Sequence, residues 1–245
     1  MTIYKENKFE WIYGVHPVLS FLRHQNQFIQ QITFTKKFLN SEIVQQAKNR
    51  GVETKLVDEA FFRNFPVGHQ SIACLCDVDV ARTDLKEFVK HISETSTIVV
   101  LDSVTDPQNF GSCIRSALAL GATALVIPKH QSASISPVVH KISVGGASQL
   151  PIFRVVNISQ TLELLKKHHF WIYGTCERAT KSLHEIRIPR RNVIVFGSEG
   201  NGLRQLTRKK VDVLYKIDTN KLFPSLNVAT ACALSLYQIS VCRNN

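Results

Sequence analysis

From Thr97 onward, short continuous apolar runs alternate with stretches of helical periodicity. The runs lie at 98–101, 124–127, 152–155, 170–174, 193–196 and 213–217. Strands that are apolar at every position are buried on both faces, as in a parallel sheet covered by helices. Between them the spacing predicts helices over 111–120, 136–144, 159–168 and 203–210, with a last one after Asn227. The fold class read from this rhythm is α/β, a doubly wound sheet with ligands expected at the carboxyl ends of its strands. Ahead of it, a weaker rhythm predicts a helix over 14–22 started at Pro17 and a strand over 28–34. A helix follows from the N-cap Ser41 to about Arg50, stopped by Gly51. A strand over 52–57, a helix over 58–65 ended by Pro66 and a strand over 71–76 complete a small α/β unit. Residues 77–94 are acidic and polar and read as a connector, with helical character around Leu85, Phe88 and Val89. The chain thus divides into a unit at 1–76, a linker at 77–94 and a main domain at 95–245.

Charge sharpens the picture. The 245 residues hold 30 Lys and Arg against 19 Asp and Glu, a net charge of +11. Residues 1–76 carry +3, residues 77–94 carry −2 and residues 95–245 carry +10, so the positive field belongs to the main domain. Such an excess favours polyanionic partners, nucleic acid first. The six cysteines (Cys74, Cys76, Cys113, Cys176, Cys232, Cys242) lack the C-x-x-C spacing of a zinc site, and no metal is expected. Cys74 and Cys76 share one face of a strand and read as packing residues, in keeping with a reducing compartment. The N-terminal MTIYKENKFEWIYG has no apolar signal core, and no run approaches the ~20 residues of a membrane helix. A cytoplasmic protein without a membrane partner is expected.

Three segments carry the candidate chemistry. In the first, the run 98–101 opens into a loop of Asp106, Pro107, Gln108 and Asn109, and a helix expected from Gly111 carries Arg115. The second is VIVFGSEGNGL at 193–203, in which Gly197, Gly200 and Gly202 surround the single acidic residue Glu199. Glycines there permit positive φ and close backbone approach to a ligand. The third is LFPSLNVATACALSLYQI at 222–239, where Ser225 and Asn227 open the final helix. Neither a G-x-G-x-x-G turn nor a Gly-Lys-Ser/Thr phosphate loop is present, so both usual nucleotide sites of an α/β sheet are absent from the sequence.

In order and spacing, DPQNFGSCIRSALALG, VFGSEGNGL and SLNVA resemble the three signature motifs of the SpoU branch of the SPOUT methyltransferases, which methylate ribose 2′-hydroxyls in RNA. IPKHQSA and KISVGGAS resemble family segments between the first two motifs. The likeness covers roughly 97–240. GVHPVLSFL and HQSIA in the first unit are similar to the L30e-like RNA-binding domain that precedes the catalytic domain in members acting on a 23S rRNA guanosine. The resemblance implies a trefoil-knotted domain that binds S-adenosyl-L-methionine (AdoMet) and works as a homodimer on RNA, with 23S rRNA the expected substrate. It also implies that Gly197, Gly202, Ile217 and Leu226 line the cofactor, largely through backbone groups, with Thr175 a further candidate.

Methyl transfer to a ribose hydroxyl is an in-line displacement that needs an aligned nucleophile, a route for its proton and an anchored RNA. In the family the residue matching Arg115 is assigned activation of the 2′-hydroxyl. A guanidinium holds its proton to a pH above ~12, so Arg115 is expected to fix a phosphate and stabilise the developing alkoxide. Asn109 is expected to bind substrate or bridge subunits, and Glu199 to position the ribose or Arg115. Ser225 and Asn227 serve either as the helix cap or as substrate contacts. The chain departs from the family pattern at Lys221, where Gly is usual, and at Pro224, Ala229, His130 and Gln131. A cofactor loop of altered shape is expected from Lys221. Arg204, Arg208, Lys209 and Lys210, with Lys181, Arg187, Arg190 and Arg191, are candidate RNA tracks; Lys36 and Lys37 are weaker ones. Methylation of tRNA, or RNA binding without catalysis in ribosome assembly, are the alternative readings.

Overall fold

The computed structural model describes residues 9–24, 26–77, 84–198, 200–220, 222 and 226–244. Along the chain run β1 (Phe9–Tyr13), α1 (Val15–His24), β2 (Ile29–Phe34), α2 (Glu42–Asn49), β3 (Glu53–Leu56) and β4 (Ile72–Asp77). Next come α3 (Leu85–His91), β5 (Ser96–Leu101), α4 (Pro107–Ala119), β6 (Ala124–Pro128), α5 (Pro137–Ile142), β7 (Ile152–Val155) and α6 (Ile158–Lys167). The remainder is β8 (Trp171–Thr175), β9 (Lys181–Ser182), β10 (Arg191–Phe196), α7 (Gln205–Arg208), β11 (Val213–Lys216) and α8 (Val228–Asn244). Two compact units form, the second beginning just ahead of α3, and residues 135–149 with α5 pack into the first.

In the first unit the sheet order is β1-β4-β2-β3, antiparallel except for the β2–β3 pair. Ile12, Val18, Leu22, Ile32, Val44 and Ile72 fill its core. Ser41 caps α2 by accepting from the Val44 N–H, and Gly51 beyond it has φ +72°. Cys74 and Cys76 are fully buried with their sulfurs 3.2 Å apart. Two expectations need correction. β1 has no counterpart in the sequence reading, because only its last two residues are buried and the strand sits at the sheet edge. The stretch expected as a helix at 58–65 is a 3₁₀ segment at Glu59–Asn64. Bounded by Pro66, it is too short for a stable i→i+4 ladder; its Phe61 packs edge-on against Trp11, and Phe65 just after it packs edge-on against Trp11 and Tyr13.

His140 on α5 is buried in this unit against Phe21, with ring centroids 5.0 Å apart, and its Nδ1 has no hydrogen bond among the described residues. Burial pushes its pKa from 6.5 down to about 4. The folded state therefore binds a proton less readily than the unfolded chain. Stability is full above pH 6.5, falls as the pH drops from 6.5 towards 4, and levels off below. The expected loss is about 3 kcal/mol. Melting curves at pH 7 and pH 4.5 check this, with His140→Leu expected to flatten the difference.

The second unit holds a seven-stranded sheet in the order β7-β6-β5-β10-β8-β11-β9, parallel throughout. Ile98, Val100, Val193 and Val195 face a layer formed by α6 and by Leu85 and Val89 of α3, so the connector's helix is part of this core. Val99, Leu101, Ile194 and Phe196 alternate to the opposite face and are equally buried. α4 and α8 pack on each other. α8 is joined to the sheet by the Tyr215 hydroxyl, 2.7 Å from Ser235 Oγ, and by Arg243, whose guanidinium donates to Thr97 Oγ1 at 2.7 Å. Among the described residues no helix is long and apolar enough to cross a membrane.

α4 starts at Pro107, four residues earlier than expected. Asp106 is its N-cap and accepts from the N–H groups of Gln108 and Asn109, while Pro107 supplies a preset φ where no donor is needed. Asn109 therefore stands on the first helical turn and not in a loop.

Candidate active site at the carboxyl edge of the parallel sheet

β5, β10, β8 and β11 are consecutive neighbours in the sheet, so their carboxyl ends deliver four loops to one edge. The three motif segments follow β5, β10 and β11, and Thr175 ends β8. Sequence positions more than a hundred residues apart are thus brought together by strand order alone.

The clearest junction lies between the first and third motifs. Asn227 Nδ2 donates to Asn109 Oδ1 at 2.8 Å, and Asn227 Oδ1 accepts from the Thr230 N–H at 3.0 Å. The Asn227 carbonyl also accepts from the Ala231 N–H, so this residue caps α8. The amide fills the helix-cap role, one of the two that the sequence left open, and in addition binds the neighbouring motif. Arg115 is exposed on α4 and has no hydrogen bond or ion pair among the described residues.

At the second motif, the Ser198 N–H donates to the Gly202 carbonyl at 3.1 Å and the Gly202 N–H to the Ser198 carbonyl at 2.9 Å. Gly200 and Gly202 have φ of +83° and +63°. Gly197 packs against the returning backbone: a Cβ there would lie 2.1 Å from the Gly202 carbonyl carbon. Thr175 and Ile217 are half-buried, and Leu226 is exposed. These are features that fit an adenosine held by backbone groups between apolar side chains, with open space above Gly202. Glu199, Ser225, Lys221 and Pro224 lie outside the described residues. Among the described residues no group of three or more His, Cys, Asp or Glu is placed to hold a metal ion.

A profile of the SpoU rRNA methylase family matches residues 96–237. The chain belongs to this family. A second profile, for RNA 2′-O ribose methyltransferase substrate binding, matches residues 11–77. The chain is similar to a 23S rRNA (guanosine-2′-O-)-methyltransferase RlmB of Xylella fastidiosa, 34% identical over 94% of this chain and 96% of that protein. It is also similar to RlmB of Coxiella burnetii, 34% identical over 95% and 96%. Among solved structures, the SpoU methyltransferase AviRb of Streptomyces viridochromogenes in complex with AdoMet shares the fold with a TM-score of 0.84. It is 21% identical and covers 97% of this chain and 91% of that one. The A. aeolicus TrmH/SpoU tRNA modifying enzyme aligns over 65% of this chain and 84% of its own, with a TM-score of 0.55 and 25% identity.

Within this SpoU framework the basic clusters sort themselves. Arg204 is ion-paired with Asp102, and Lys210 with Glu163 at 2.5 Å. Arg191 donates to the carbonyls of His168 and Ile92 at 3.1 and 3.3 Å. Those three hold the fold together, whereas Arg208, Lys209, Lys181, Arg187 and Arg190 are exposed. The thiols of Cys113 and Cys232 meet between α4 and α8; the hydrogen bond with Cys113, then burial, holds Cys232 well above the usual thiol range. Cys232 stays protonated and is no nucleophile. Sequence reasoning missed Asp102, which is fully buried at the end of β5. Its one visible signal was a carboxylate directly after four apolar residues.

Proposed function

We propose that the protein transfers a methyl group from AdoMet to the ribose 2′-hydroxyl of a guanosine in 23S rRNA. The reading is carried by the bond between Asn109 and Asn227, which joins the motif-one and motif-three segments. It is supported by the 34% identity, over 94% of the chain, to proteins named 23S rRNA guanosine methyltransferases, and by the substrate-binding profile over 11–77. Gly197, Gly202, Thr175, Ile217 and Leu226 would hold the cofactor, which supplies a methyl group on a sulfonium whose sulfur leaves as a neutral thioether. Arg115 anchors a phosphate and stabilises the oxygen as its proton departs to solvent. Asn109 and Asn227 orient the ribose, with Glu199 and Ser225 assigned to the same task.

The same reading takes the first unit, which residues 135–149 join, as an L30e-like RNA-binding domain and the second, with α3 in its core, as the methyltransferase domain. It takes the domain as trefoil-knotted and the working form as a cytoplasmic homodimer. Insertion of β10 between β5 and β8 supports the knot, since the chain must return to the middle of a sheet already begun. The experiment is a map of ribose 2′-O-methyl sites in rRNA and tRNA from cells with and without the protein. Loss of one methyl mark at a 23S rRNA guanosine is expected. Loss at a tRNA site would move the substrate to tRNA, and unchanged maps with RNA binding intact would leave an RNA-binding factor without catalysis.

A further inference from the structure

Asp102 grips both ends of the glycine loop. Its backbone N–H donates to the carbonyl of Phe196, the residue before Gly197, at 2.7 Å. Its carboxylate pairs with the guanidinium of Arg204, the residue after Leu203. Arg204 in turn begins α7, its carbonyl accepting from the Arg208 N–H at 2.8 Å. The loop 197–203 is therefore fastened at entry and exit to one residue of the motif-one strand.

The chemistry at this point is unfavourable unless it serves the loop. The Asp102 side chain is 0% exposed, and apart from the ion pair neither carboxylate oxygen has a hydrogen bond among the described residues. Ser103 follows with φ +69°, and its buried Oγ is likewise unbonded. A buried carboxylate with a single partner adds less to stability than an apolar side chain of the same volume. A strained residue and orphaned polar atoms at a strand end mark a place held for geometry.

We infer that Asp102 is a positioning residue: through Arg204 it sets the shape of loop 197–203, and so the affinity for AdoMet, without touching cofactor or RNA. The inference rests on the AdoMet reading above. Asp102→Asn keeps the backbone bond and removes the charge. It is expected to raise the Kd and KM for AdoMet by roughly 10-fold to 100-fold, as losing a residue that orients a ligand-binding group does, and to leave the KM for RNA unchanged. Arg204→Leu should reproduce the effect and Arg204→Lys should recover most of it. The pair Asp102→Asn with Arg204→Gln should lose less than the two single changes combined.

Calorimetric titration with AdoMet and steady-state kinetics on the full-length protein provide the readouts. Parental AdoMet affinity in Asp102→Asn, whatever its melting temperature, overturns the inference. If that variant does not fold, Arg204→Leu decides, because Arg204 is half-exposed; parental AdoMet affinity there overturns it equally. A rise in the KM for RNA with Arg204→Leu, at constant AdoMet affinity, would make Arg204 an RNA contact and overturn it too. Failure of the unaltered protein to bind AdoMet would defeat the functional reading and this inference together, whereas binding that no variant alters would defeat the positioning role alone.

Discussion

Arg115→Ala is expected to leave a folded protein whose methyl transfer to rRNA has fallen by roughly 10²–10³-fold in kcat, the effect of deleting one preorganised donor from a developing oxyanion. The structure makes this a clean test. Arg115 is exposed and has no partner among the described residues, so its removal should change stability by no more than about 0.5 kcal/mol. AdoMet affinity should also be unchanged, because the proposed cofactor residues follow other strands. Arg115→Lys should restore only part of the rate, since an ammonium is a point charge and cannot bind a phosphate through two parallel bonds. Labelled methyl incorporation and a melting curve on the same preparation give both numbers. Full activity in Arg115→Ala would remove this residue from the reaction.

The sheet of the second unit was legible because its central strands carry unbroken apolar runs, 98–101 in β5 and 193–196 in β10. Ile98 and Val99 face opposite layers and are both fully buried, which is what an unbroken run means. The site was legible in part for a related reason: loops after such strands must lie at one edge. What strand order would do was not legible. Nothing between Asn109 and Asn227 announces that their amides meet at 2.8 Å, since that depends on β10 and β8 lying between β5 and β11. Asp106 and Pro107 carried the start signal of α4, yet the glycine at 111 drew the expected boundary to itself. Asp102 was missed because burial of a carboxylate is a property of the fold, not of the neighbouring residues. Residues 135–149 show the same limit, since their partners in the first unit are remote in sequence.

Gly197→Ala should weaken cofactor binding by about 10²-fold. The added Cβ would lie 2.1 Å from the Gly202 carbonyl carbon and 2.4 Å from the Leu203 nitrogen. Both are backbone atoms and cannot rotate aside, so the returning strand of the loop must move outward. That movement breaks the pair of hydrogen bonds between Ser198 and Gly202. Overpacking of this kind costs about 1–3 kcal/mol, a drop in melting temperature the domain can survive. The larger effect is on the loop: a displacement near 1 Å is worth about 10²-fold in a positioned site, and AdoMet affinity should fall by that order. Gly174→Ala is the control. Its Cβ would meet the Leu203 Cδ1 at 2.7 Å and the Val211 methyls at 3.0 and 3.1 Å, side-chain atoms that can yield. Calorimetric titration of both variants with AdoMet should give a deep loss for Gly197→Ala and a shallow one for Gly174→Ala. Equal affinities would mean that the glycine loop does not face the cofactor, and the site would have to be sought at another strand end.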